Sequence, residues 1–179
     1  MKQSYSPVAT RFLEAICLAA FDSQRVRDWL VEGTSKTAEF SGAVSLHEEQ
    51  AQRRGPMKGP FFTNYWWGDE VIGSCRPEGS KACEVDAMLF FAAETGGRLA
   101  IHVEHKSAGE RFSFGQAEAY PMRAERFADR RFCPRQVVPH DQWLTLVFCD
   151  DAEVGSASLA PFKRQIGHGA AGKMLEVGA

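Results

Sequence analysis

The sequence predicts a single α/β domain with a mixed central sheet flanked by helices. Three observations predict it: an amphipathic helix near the start, a long hairpin from Cys83 to Lys106, and a helix-then-strand pair after that hairpin. A chain of 179 residues is long enough to bury roughly 70% of its unfolded surface.

Ser6-Pro7 is a helix start, with serine as the N-cap and proline at the first helical position. Val8, Phe12, Ala15, Ile16 and Ala19 then recur at helical spacing over about residues 7 to 20. Glu14 lies off that stripe. Asp22 or Ser23 caps a second short helix running through Leu30, and Gly33 ends it. Residues 33 to 45 read as irregular. Leu46 to Arg54 reads as a third helix, stopped by the GPMKGP breaker. FFTNYWW, residues 61 to 67, is expected to enter the sheet as an edge or first strand, together with part of VIGSC.

The hairpin sets the register. A two-residue Gly96-Gly97 loop would put the apolar set of one strand beside the polar set of the other. A three-residue Thr95-Gly96-Gly97 loop with the last glycine at positive φ sorts the faces instead, pairing Glu94 with Arg98. One face then carries Val85, Ala87, Leu89, Phe91, Ala93, Leu99, Ile101 and Val103; the other carries Asp86, Met88, Phe90, Ala92, Ala100, His102, Glu104 and Lys106. This register places Asp86 opposite Lys106, with Glu104 one diagonal step away. Ser113 and Gln116 fit a capping box, so a helix is expected to begin near Phe114 and to be kinked or divided by Pro121. The run WLTLVFCDD from Trp143 reads as a strand buried on both faces. The tail suggests one short helix around Pro161 to Ile166.

Charge is near balance, 21 basic against 23 acidic residues, so any pull toward a polyanion must come from local patches. Five scattered cysteines, odd in number and without a CxxC pair, fit neither a disulfide framework nor a zinc site. No stretch approaches the roughly 20 apolar residues of a membrane span, and MKQSYSPVATRF lacks a signal-peptide core, so a cytoplasmic protein without membrane contact is expected. GHGAAGK near the end has the wrong spacing for a phosphate-binding loop.

Two carboxylates and a lysine at one end of a hairpin have two readings. They form a cross-strand ion-pair set on a solvated sheet face, or they form a site for metal-assisted phosphodiester hydrolysis. Mg²⁺ or Mn²⁺ takes oxygen ligands, so Asp86 and Glu104 on adjacent strands can anchor it while a phosphate completes the shell. Lys106, two residues past Glu104 and on the same face, suits the stabilisation of developing charge better than the work of a general base.

The order helix, strand, hairpin with D…ExK, helix with QxxxY, buried strand resembles the PD-(D/E)XK nuclease superfamily. The match runs over about residues 61–150 plus the helix at 7–20, leaving 155–179 as a C-terminal extension. It consists of Asp86, of Glu104-His105-Lys106, and of Gln116 with Tyr120. The resemblance implies a restriction-endonuclease-like fold and a Mg²⁺ (or Mn²⁺) nuclease, with DNA rather than RNA the expected substrate. It also implies the His105 backbone carbonyl as a further ligand and support of the site by Gln116, which alternatively serves only as the capping-box residue. Many members add a helical acid: Glu14 is the first choice here, with Glu48 or Glu49 behind it, and Glu84 is an extra same-face candidate.

Tyr120, Arg123, Arg126, Arg130 and Arg131 are the candidate nucleic-acid contacts. A homodimer or larger assembly is compatible with the aromatic Trp66-Trp67 region. A non-catalytic module of the same fold, binding nucleic acid or a protein, is the alternative.

Overall fold

The computed structural model describes residues 7–67, 75–81 and 84–176, so most of VIGSC lies outside the described residues. The helices are α1 (Pro7–Asp22), α2 (Gln24–Val31), α3 (Thr37–Phe40), α4 (His47–Arg54), α5 (Gln116–Ala128) and α6 (His168–Glu176). The strands are β1 (Val44–Ser45), β2 (Thr63–Tyr65), β3 (Val85–Ala92), β4 (Arg98–His105), β5 (Gln142–Cys149) and β6 (Arg164–Gly167). The sheet order is β1-β3-β4-β5-β6, with β2 also on β3. β1 and β2 pair with opposite ends of β3, both antiparallel. β3 and β4 are antiparallel, whereas β4, β5 and β6 are mutually parallel. The sheet is therefore mixed, and helices cover both faces.

The alternation read from the hairpin produces two cores. Ala87, Leu89, Phe91, Leu99, Ile101 and Val103 pack against Leu13, Ile16 and Cys17 of α1 and Val26 and Leu30 of α2. Met88, Phe90 and Ala100 pack on the reverse face with Tyr120 and Phe127 of α5. β5 is buried on both faces, as its apolar run predicts: Leu144, Leu146 and Phe148 join the first core, Val147 and Cys149 the second.

The faces follow the sequence reading except at Val85, which packs with Met88 and Phe90 instead of with Ala87 and Leu89, and the register is offset by two residues. Ala92 pairs with Arg98 and Ala87 with Val103. The Ala93 N–H donates to the Gly97 carbonyl at 2.9 Å, closing a Glu94-Thr95-Gly96 loop, and Gly96 is the residue at positive φ, +89°. An even offset leaves the side chains of the paired residues on their faces. The paired stretch ends at Ala87 and Val103, so the expected pair of Asp86 with Lys106 does not form.

Gly97 is small for another reason. A Cβ there would lie 2.4 Å from Glu39 Oε1, and Glu39 accepts a 2.6 Å bond from Gln142 Nε2. Of the two consecutive glycines, only Gly96 serves the turn.

The second helix is capped as expected, with Ser23 Oγ accepting from the Val26 N–H. Arg27 then donates to the carbonyls of Ala20, Phe21 and Ala43 at 2.8–3.0 Å, which satisfies the open C-terminal end of α1. The supposedly irregular stretch holds α3 and β1. From the third helix, Gln50 reaches the Met88 carbonyl at 2.7 Å and the Tyr65 hydroxyl at 2.9 Å, and Arg54 holds the Phe61 and Thr63 carbonyls.

α5 runs undivided through Pro121 and begins at Gln116, two residues later than expected. The tail differs most from expectation. Where a helix was expected there is a short 3-10 turn (Ala157–Leu159), then β6 pairing with β5. α6 follows, its Gly169 N–H held by Asp151 at 3.0 Å. Gly167 and Gly169 are needed because a Cβ on either would collide with the Asp151 carboxyl.

Candidate active site

Asp86 and Glu104 lie just beyond the last β3–β4 pair, Ala87 with Val103, and the two-residue period places Lys106 on the same face as Glu104. The Lys106 N–H donates to the Phe148 carbonyl at 2.8 Å, carrying the sheet one residue past β4. Asp86 Oδ2 accepts a 2.8 Å bond from the His105 N–H. The Asp86 and Glu104 carboxyls also hydrogen-bond each other, an arrangement that needs a proton between them.

Glu104 is the hub. Lys106 Nζ lies 3.2 Å from Oε1, Gln116 Nε2 donates to the same oxygen at 2.9 Å, and the Tyr120 hydroxyl donates to Oε2. Four-residue spacing on α5 thus turns Gln116 and Tyr120 onto one carboxylate. The capping box does not form, because Gly115 is the N-cap of α5 and has no side-chain cap; Gln116 Oε1 still accepts from the Ser113 N–H at 3.1 Å.

Burial governs the protonation of this group. Asp86, Glu104 and Lys106 are 7%, 2% and 3% exposed. Burial pushes the Asp86 carboxyl up to about 6, against the pull of the His105 N–H and Lys106. Burial and then the Asp86 charge push Glu104 well above the carboxylate range. Glu84, just before β3, is raised to about 7 by burial and by Asp86. Burial, followed by the Glu104 and Asp86 charges, keeps the Tyr120 phenol well above its usual value.

Glu110 belongs to the group and was missed in the sequence. Its Oε1 lies 3.4 Å from Lys106 Nζ, and its Oε2 accepts from the Ser107 N–H at 3.1 Å. The available signal was a carboxylate four residues after the lysine in a Ser-Ala-Gly-Glu turn. Lys106 also lies 4.5 Å from the centre of the Phe112 ring, which stacks on Phe162 from the tail. Among the described residues, the carboxyls of Asp86, Glu104 and Glu110 thus act on the Lys106 ammonium, and Glu84 lies close enough to Asp86 to feel its charge.

The other candidates are placed elsewhere. α1 lies beside Asp86 through Thr10 and Leu13, while the charge of Glu14 acts on Cys17. Glu49 pairs with Arg53 at 3.0 Å and with Arg98. The His105 ring is on the reverse face against Phe12 and His168, and burial lowers it to about 4. Arg123 is 1% exposed beneath Tyr120 and does not present a guanidinium at the surface. Arg126 lies over the Phe132 ring at 3.8 Å. Arg131 is bound to Asp129 at 3.0 Å, and Arg130 is exposed.

No protein-family model matches the chain, and neither a curated protein nor a solved structure matches it.

Asp86 and Glu104 offer the hard oxygen donors that Mg²⁺ or Mn²⁺ requires, and their raised protonation is the strain that a bound cation would relieve. In donor chemistry the residues fit such an ion.

Proposed function

We propose that the chain is a Mg²⁺- or Mn²⁺-dependent nuclease of restriction-endonuclease-like fold, hydrolysing nucleic acid phosphodiesters, with DNA rather than RNA as the substrate. The observation that carries this reading is the convergence of Asp86, Glu104 and Lys106, with carboxyls in excess of the ammonium. An anionic phosphodiester would be repelled by such a set unless a cation held it.

In this reading Asp86 and Glu104 hold the metal together with the His105 carbonyl, and Glu84 is the nearest further acid. A bound divalent ion supplies Lewis acidity and an acidified water. Lys106 places an ammonium beside the reacting phosphate, and Gln116 and Tyr120 fix the orientation of Glu104. Access runs through the largely exposed segment 107–114, whose Glu110 must yield Lys106 to the phosphate. A cytoplasmic location accords with Cys17, Cys75, Cys133 and Cys149 being free among the described residues. Among those residues, no helix is long and apolar enough to cross a membrane.

One observation favours a second reading, a non-catalytic module that binds nucleic acid or a protein. All three central residues are nearly closed from solvent, and the space beside Asp86 is about 10 Å³, the lower limit for one water.

Mn²⁺ titration followed by calorimetry separates the two readings. The nuclease reading expects one saturable site, affinity that rises as pH passes from about 6 to about 7 because protons are displaced, and loss of binding in Asp86→Ala. Absence of saturable Mn²⁺ binding to the wild type would leave the module reading.

A further inference from the structure

At the far end of the hairpin from the carboxylates, four arginines converge on one cleft of about 340 Å³. They come from separate parts of the chain: Arg53 from α4, Arg98 from the first residue of β4, and Arg130 and Arg135 from the segment after α5. Arg53 Nη1 donates to the Arg135 carbonyl at 3.5 Å, joining two of the contributing segments across the cleft.

Two carboxylates stand against these four guanidiniums. Glu49 is engaged by Arg53 and Arg98, and Asp141 accepts from the Arg98 backbone N–H at 2.8 Å. Among the described residues, no carboxylate pairs Arg130 or Arg135, and both are exposed. A whole chain of net charge −2 therefore concentrates a local excess of two positive charges at a concave surface. Four like charges drawn together in this way favour a polyvalent anion, and planar guanidinium forks suit phosphate oxygens.

Arg98 and Glu104 share one face of β4. Six residues of strand separate them by about 20 Å, and α5, 13 residues long, spans about 20 Å from Gln116 at the carboxylates to the arginine-bearing segment at its end. We propose that this cleft binds backbone phosphates of a nucleic acid strand, holding it about six nucleotides from the carboxylate site. That number follows from roughly 3.4 Å per residue along a strand. The substrate class rests on the nuclease reading; the anion cleft rests on the four arginines.

Fluorescence anisotropy with labelled duplex DNA about 12 base pairs long, in EDTA and over a range of salt, tests the cleft without calling on catalysis. The Arg130→Ala/Arg135→Ala double variant should bind more weakly and lose about 2 from the slope of log affinity against log salt, near 0.9 for each phosphate contact. Arg25→Ala, exposed on α2 on the other side of the sheet, should bind as wild type does. Unchanged affinity and slope in the double variant overturn the proposal, as does displacement of the DNA by polyglutamate at equal charge. Weaker binding in the double variant, alongside a wild type that cuts nothing in Mg²⁺, supports the cleft and removes only the nuclease reading. Cleavage by a double variant with undiminished binding does the reverse.

Discussion

Asp86, Glu84 and Glu104 are all acids whose folded values lie above their unfolded ones. The folded chain therefore binds more protons than the unfolded chain, and the stability this confers at low pH is lost as pH rises through about 6 to 7. Without divalent metal, the protein should melt at progressively lower temperature between about pH 5 and about pH 8. Asp86→Asn keeps an acceptor for the His105 N–H and removes the charge, so it should raise the melting temperature at about pH 8 and flatten the pH dependence. A lower melting temperature for Asp86→Asn at that pH would mean that the ionised carboxylate is well satisfied. At this scale Asp86, Glu104, Lys106, Gln116 and Tyr120 were legible, because period two in the strand and spacing of four on the helix bring them together. Glu110 was not, because a turn carries no periodicity to place its side chain.

The elements legible in the sequence were those with strong local signals. α1, α2 and α4 carry caps or breakers, and β3, β4 and β5 carry period-two or uninterrupted apolar patterns. α3, β1 and β6 are short and owe their form to neighbours: β6 exists because Arg164 to Gly167 pair with β5. The hairpin loop was displaced by one position because both glycines satisfy a turn locally, and only the approach of Glu39 to Gly97 distinguishes them. Substitution checks this assignment. Gly96→Ala forces a side chain onto φ +89° and should cost about 1 kcal/mol by chemical denaturation. Gly97→Ala meets only the mobile end of Glu39 and should cost less. The reverse ranking would put the positive-φ residue at Gly97 and restore the pairing of Glu94 with Arg98.

Across the whole molecule, the mixed sheet separates an α1/α2 core from an α5 core, and α5 overlies the face that carries Glu104. That layering buries a carboxylate-rich group with a single lysine at one end and leaves a cluster of arginines at the other. The α/β class was legible because hydrophobic alternation decides which faces are covered. The tail was not, because a segment read as an extension adds a strand and sends Phe162 against Tyr120 at 5.0 Å. The proposed nuclease requires the hairpin's acids and lysine to act together on a phosphodiester. Incubating plasmid and single-stranded DNA with purified protein, with and without Mg²⁺ or Mn²⁺, tests it most directly, beside Asp86→Ala and Lys106→Ala. The wild type should cleave only when metal is present, and either variant should lose at least about a hundredfold in rate, as expected when a charge-stabilising group is removed. A wild type that cuts neither substrate in either metal, or variants that cut as well as the wild type, would contradict it.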